Sequence, residues 1–159
     1  MKKKFADILI ALLLMTITGS CTRNNGDIGD YFGEWRLERL TADGEEVALY
    51  TEESGVELYT WGFQGRLIQI VEILPRHEYI EHTGSWREDG DILELNFGYS
   101  DNEPGHLPGY RAPEALHLVS DGITRLHIDR LKHRRMVLSY VSDDGALYIL
   151  SETACLKIL

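Results

Sequence analysis

This sequence is poor in cysteine, proline, basic residues and long apolar runs, and each shortage excludes something. It holds two cysteines in 159 residues, Cys21 and Cys155. That is too few for a disulfide-stapled scaffold or for a zinc site built on paired cysteine motifs. Three of the four prolines fall between Ser100 and Pro113, so no proline-rich linker sets off a second domain. After residue 30 no stretch carries the i, i+3, i+4 stripe of an amphipathic helix. Lys and Arg number 16 against 26 Asp and Glu, a formal charge of −10. Such a balance argues against nucleic acid and against polybasic docking on anionic lipid. The acidic residues are scattered and read as a solvated surface. No Ser–His–Asp arrangement, nucleophile elbow or phosphate-cradling loop is present, so the chain is not read as an enzyme.

What is there begins with an address. Lys2, Lys3 and Lys4 precede an apolar run from Ile8 to Ile17. Its ten residues fit the ~7–15 of a signal-peptide core and fall short of the ~20 that span a bilayer. Thr18-Gly19-Ser20-Cys21 follows. Small residues just before a cysteine resemble the bacterial lipobox, with Thr18 standing where Leu is common. The resemblance implies a cut before Cys21, diacylation of its thiol and often acylation of the new amine. Two or three acyl chains anchor durably where one is marginal. Secretion with a different cut, or an N-terminal membrane helix, are the alternatives.

Residues 1–20 are therefore expected to be a leader and 21–30 a flexible polar tether. Residues 31–159 form one domain, large enough for its own core. The expected location is a bacterial cell envelope, lipid-anchored on the outer membrane and facing the periplasm or the surface. Losing the leader's three Lys and one Asp moves the formal charge from −10 to −12. With Cys21 taken by lipid, Cys155 has no disulfide partner. It reads as a small buried hydrophobe within Ala154-Cys155-Leu156.

The domain reads as strands. Asp43-Gly44, Asp89-Gly90-Asp91, Asp121-Gly122 and Asp144-Gly145 are turn signals between apolar runs. Leu93-Leu95-Phe97, Leu126-Ile128 and Met136-Leu138-Tyr140 alternate with period two, as in strands with one wet face. Leu147 to Leu150 is continuously apolar, as in a strand covered on both sides. Further strands are expected at 35–40, 45–50, 58–64, 67–73, 77–82, 85–87 and 116–119. A short helix at 51–55 or in the tail is the only helical candidate. About eight to ten strands at hairpin spacing predict an all-β fold: a small antiparallel up-and-down barrel, or else a sandwich. Residues 100–113 form the one long irregular loop, of a length often tied to function.

Two short motifs punctuate this pattern. Gly33-Glu34-Trp35 opens the first strand. Gly84-Ser85-Trp86 comes before the turn at 88–91 and the strand Ile92-Leu93-Glu94-Leu95. Met136-Val137-Leu138, Asp143-Asp144-Gly145 and Leu147 to Leu150 make a closing hairpin. This order resembles the lipocalin-like lipoproteins of Bacteroidota-type bacteria over most of residues 31–152. There the Gly permits close chain approach at the barrel floor and the Trp plugs that end. The resemblance implies a lipocalin-like barrel and a general binding role, with no particular substrate. It also implies a late basic residue, Arg134 or Arg135, over the first Trp in a cation–π contact.

Candidate ligand-binding residues are aromatic. Tyr59, Trp61 and Phe63 are two apart and share one face of a strand. With Trp35, Trp86 and Phe97, and with Tyr79, they line an apolar pocket or else fill the core; an eight-stranded barrel is just wide enough for either. The expected occupant is a small apolar or amphipathic molecule. Gln69 is a candidate polar group, with Ile68 and Ile70 competing for the same face. The alternative function is a module with a solid core that contacts an envelope protein or glycan. The six histidines lack zinc spacing, and Asp101-Asn102-Glu103 lacks the spaced ligands of a calcium loop. No metal and no cofactor are expected. The cluster Arg130, Lys132, His133, Arg134, Arg135 reads as a charged guard on a hairpin or edge strand.

Overall fold

The computed structural model describes residues 29–98, 110–120, 122–143 and 145–155. Cys21, the leader and residues 99–109 lie outside them, as does the side chain of Cys155. Nine strands follow one another: β1 Glu34–Ala42, β2 Glu45–Glu46, β3 Leu58–Gln64, β4 Leu67–Ile73, β5 Tyr79–Asp89, β6 Ile92–Asn96, β7 Ile123–Lys132, β8 Arg135–Val141 and β9 Leu147–Cys155. Each pairs antiparallel with its spatial neighbour in the order β2-β1-β3-β4-β5-β6-β7-β8-β9. β1 also pairs with β9, from Glu34↔Cys155 to Ala42↔Tyr148. That pairing closes eight strands into the expected up-and-down barrel. β2 rests on the end of β1 beyond the reach of β3.

The turns at 65–66, 90–91 and 133–134 lie at one end of the barrel, where β1 begins. A 3-10 turn at Gly29–Tyr31 covers this closed end. The opposite, loop end carries residues 43–44, 47–57, 74–78, 97–98, 110–120, 122, 142–143 and 145–146. Asp43 and Gly44 turn with φ of 51° and 86°, the mirror-image turn that suits the twist of a hairpin. His133 and Arg134 do the same with φ of 54° and 62°, although neither residue favours that region.

Two bulges set which residues face inward. One falls between Leu37 and Arg39 on β1, the other between Ile128 and Arg130 on β7. An extra residue shifts the alternation by one, so Leu37 and Leu40 both point into the core despite their odd spacing.

Several strand expectations need correction. The run 45–50 pairs only at Glu45–Glu46; Leu49 then turns into the loop end and is buried. Segments 77–82 and 85–87 are one long strand, β5, with His77 in a 3-10 turn at Pro75–His77 before it. The run 116–119 is not a strand. It begins inside a 3-10 turn at Glu114–Leu116, and Leu116 and Leu118 stopper the loop end instead of pairing. β9 is not covered on both sides: Tyr148 and Leu150 face the core, whereas Leu147 is 42% exposed. At 51–55 there is a single turn, closed by the Gly55 N–H on the Thr51 carbonyl at 3.1 Å. In the tail β9 continues as strand to Cys155.

Candidate functional site

Six of the seven aromatic residues singled out by sequence take part in the barrel interior, Tyr79 being the exception. Trp35 pairs with Trp61 on one side and Ala154 on the other. Trp35, Tyr59, Trp61 and Phe97 are among the largest fully buried side chains, and Phe63 is also buried. Each contributes on the order of 2–3 kcal/mol through its buried apolar surface. Trp86 packs against this core from the closed end, half-buried. There Tyr31, Phe63 and Trp86 form a triangle of rings with centroids 4.9–5.2 Å apart. Trp35 Nε1 donates to the Tyr31 carbonyl at 3.0 Å, which ties the 3-10 turn to the barrel floor.

Glycine in the second motif has a steric reason. A Cβ at Gly84 would stand 2.8 Å from the Asn96 carbonyl oxygen and 2.9 Å from Phe97 Cδ1. The Phe97 ring therefore lies directly against the Gly84 backbone. Tyr79 stays out of the pocket, being 64% exposed. Gln69 also points outward, because Ile68 and Ile70 take the inner face.

The loop end is stoppered and latched. Ala112, Leu116 and Leu118 are buried over it. His82, itself buried, donates from Nδ1 to the Arg111 carbonyl at 2.6 Å, and its Nε2 stands 3.0 Å from Glu72 Oε1. Tyr140 donates its hydroxyl to the Leu116 carbonyl. The Val119 N–H donates to Thr124 Oγ1 at 2.8 Å. Burial pushes the Tyr59 and Tyr140 phenols upward. Rings of Tyr140, Tyr148 and His117 stack in succession at 5.2 and 4.8 Å.

The polar heart of the interior went unnoticed in the sequence. Tyr148, Leu150, Glu152 and Ala154 are the inward residues of β9. Glu152 is 2% exposed, beside Leu37 on β1 and Met136 on β8. Neither of its carboxyl oxygens has a hydrogen-bond partner among the described residues, and neither does Trp61 Nε1. Burial alone pushes the Glu152 carboxyl well above the ordinary carboxylate range. The signal that could have found it is period two: continuing the alternation of Tyr148 and Leu150 places residue 152 inside.

Among the described residues, two surface clefts stand out. One of about 1120 Å³ at the closed end is lined by Tyr31, Arg66, Trp86, Arg87, Glu94 and Leu131, among others. On its wall Glu94 accepts from Arg87 and from Arg125 Nε, the latter at 2.8 Å. Those two hydrogen bonds hold the Glu94 carboxyl below its usual range. The other, about 420 Å³, lies at the loop end beside His117, Tyr140 and Tyr148. The basic cluster occupies the exposed β7–β8 turn, and Arg134 reaches the Ala154 carbonyl at 2.7 Å. His127 pairs with Asp91 and Asp129 at 2.9 and 3.0 Å. Among the described residues no group of three His, Cys, Asp or Glu is placed to hold a metal ion.

No family model matches the sequence, and no curated protein does. Solved structures do. A lipocalin-like protein from Bacteroides uniformis shares 15% identity at a TM-score of 0.50, covering 77% of this chain and 97% of its own. An uncharacterized protein from Bacteroides eggerthii shares 16% identity at 0.51, covering 77% and 98%. At such identity the likeness is one of fold. Eight antiparallel strands closed through β1 and β9 agree with it: the described residues have the fold of a lipocalin-like β-barrel.

Proposed function

We propose that this barrel holds a small molecule in its interior, and that the protein does so at a bacterial membrane, tethered through lipid on Cys21. One observation carries the reading: polar groups are buried inside the aromatic-lined barrel without partners. An unsatisfied buried donor or acceptor costs about 1–3 kcal/mol. Trp61 Nε1 and the Glu152 carboxyl are both in that position. The Tyr31 hydroxyl and Trp86 Nε1 at the closed end are buried without a partner as well, whereas His82 and Trp35 are satisfied. A guest that supplies hydrogen bonds at Trp61 and Glu152, within walls of Trp35, Tyr59 and Phe97, removes that penalty. The anchor is supported by the charged leader, the short apolar run and the small residues before Cys21.

Native mass spectrometry of the protein gently released from its own membrane tests this. The expected spectrum shows one added small-molecule mass that is lost on denaturation. A barrel carrying nothing heavier than one or two waters would overturn the reading.

A further inference from the structure

We propose that the closed end of the barrel is a docking surface for an anionic phospholipid bilayer, with the β7–β8 hairpin seated among the headgroups and the loop end turned away from the membrane. The inference rests on the tether through Cys21 proposed above and adds which face of the domain meets the lipid.

Charge is sorted along the barrel. The loop-end segments 43–57, 74–78, 110–120, 142–143 and 145–146 hold nine acidic residues and two basic ones, Arg76 and Arg111. The closed-end segments 29–33, 65–66, 87–92 and 129–135 hold six basic residues, Arg66, Arg87, Arg130, Lys132, Arg134 and Arg135, against five acidic ones. A formal charge of −10 for the whole chain weighs against anionic lipid only where that charge is evenly spread. From the loop end to the closed end β5 runs 11 residues, about 25 Å along the axis of a barrel with tilted strands. That is roughly three Debye lengths at physiological salt, so a lipid surface at the closed end is screened from the acid at the other.

The hairpin is the most basic part of its end. From Arg130 to Arg135 it carries four Lys or Arg and no acid, all four exposed. β7 continues from Ile128 to Lys132 beyond its pairing with β6, which stops at Ile92↔His127. The turn residues His133 and Arg134 sit at φ of 54° and 62°, a region that neither favours, so charge is kept there at a cost in stability. Guarding a strand edge does not account for the whole cluster: Arg135 lies on β8, which is paired on both sides.

The tether leads to the same place. Gly29, Asp30, Tyr31, Arg66 and Leu131 line one cleft, so the start of the domain lies beside the hairpin and the β3–β4 turn. Cys21 stands eight residues before Gly29, a reach of at most about 28 Å, and lipid there holds this end next to the bilayer. Phe32 and Leu67 are 51% and 53% exposed at the same end. Apolar side chains in such positions settle at the headgroup boundary, beside the stems of Arg and Lys.

The test uses full-length protein taken from its own membranes in non-ionic detergent. It is returned to vesicles of phosphatidylcholine alone or of an equal mixture with phosphatidylglycerol. Intact mass first scores the lipid on Cys21, which keeps tether and docking surface separate. Hydrogen exchange then follows peptides along the chain. Slower exchange over 64–68 and 128–136 is expected in the anionic vesicles only, with 47–57 and 110–119 unchanged, and high salt should remove the protection. Arg130→Gln, Lys132→Gln and Arg135→Gln together should also remove it, with a thermal melt to check folding. Each basic residue at the surface shifts the balance toward the docked state about fivefold, and the three together about a hundredfold.

Equal exchange in both vesicle types on a lipidated chain overturns docking and leaves the tether standing. So does protection of the loop end instead, or protection that survives in the folded triple variant. Protection in native membranes but not in phosphatidylglycerol vesicles assigns the surface to an acidic protein and overturns the lipid reading. An unmodified Cys21 ends the tether; docking then stands if the closed end is still protected in anionic vesicles and falls if it is not.

Discussion

Glu152 makes a prediction about stability that needs no ligand. Replacing it with Gln removes an ionisable group and keeps its size. In the folded protein, burial raises the carboxyl's pKa above the ordinary 4.5; in the unfolded chain the same group titrates near 4.5. Below 4.5 both states hold the proton and the group has no pH-dependent effect. Between the two pKa values the unfolded chain releases its proton while the folded protein keeps it, so unfolding gains as pH rises. The slope is about 1.4 kcal/mol per pH unit, and it ends where the folded carboxyl itself ionises. For a chain of this size that is roughly 5 °C of Tm per pH unit. The assay is a pair of melts, unaltered protein and Glu152→Gln, followed by circular dichroism from pH 4 upward. Other groups titrate in both proteins, among them Glu94, whose lowered pKa adds stability above 4.5 that is lost as pH falls. They cancel in the difference. The variant should gain on the unaltered protein steadily above pH 4.5. Parallel curves across that range would refute the burial of an ionisable Glu152.

Further perturbations follow from contacts already described. Gly84→Ala forces its Cβ against the Asn96 carbonyl and the Phe97 ring, and should cost about 1–3 kcal/mol in urea unfolding. Trp35→Phe should cost about 1 kcal/mol more than Trp61→Phe in the same assay, because Trp35 Nε1 donates to Tyr31 and Trp61 Nε1 has no partner to lose. His133→Asn should raise stability by up to about 1 kcal/mol, since His133 sits at φ 54° where Asn is more at ease. Cys21→Ser should move the protein from the membrane pellet to the soluble fraction on cell breakage; an unmodified Cys21 in the N-terminal peptide of the unaltered protein would end the lipoprotein reading.

Much of this barrel was legible one strand at a time. β3 and β4 begin and end where the alternation of Tyr59, Trp61 and Phe63 and of Ile68 and Ile70 puts them. Local pattern is sufficient there because each strand has one wet and one dry face. It fails where tertiary contact decides. Glu45 to Tyr50 has strand composition, but only Glu45 and Glu46 pair with β1 before the chain turns to bury Leu49. Leu116 and Leu118 alternate like a strand and act as a stopper over the loop end. His133-Arg134 makes a hairpin turn without turn residues, because β7 and β8 on either side leave it no other path. The pairing of β1 with β9 joins the two ends of the domain, and no local signal reports so distant a contact.

Glu152 was hidden for a different reason. Acidic residues are abundant here, and an acid near the end of a chain reads by composition as surface. Its inward position becomes visible only once β9 is known to continue past Leu150 in unbroken alternation. The same extension explains why the aromatic residues alone were an incomplete account of the interior. Trp35, Tyr59, Trp61, Phe63 and Phe97 supply the apolar bulk that any barrel core needs, and by themselves they are as consistent with filling as with binding. A buried carboxyl with no partner is not needed for filling; Leu at that position would pack without the cost of holding a proton against the pH. The distinction between a packed core and a binding chamber therefore rests on the buried polar groups left without partners, Glu152 and Trp61 Nε1 among them, not on the apolar bulk of the aromatics.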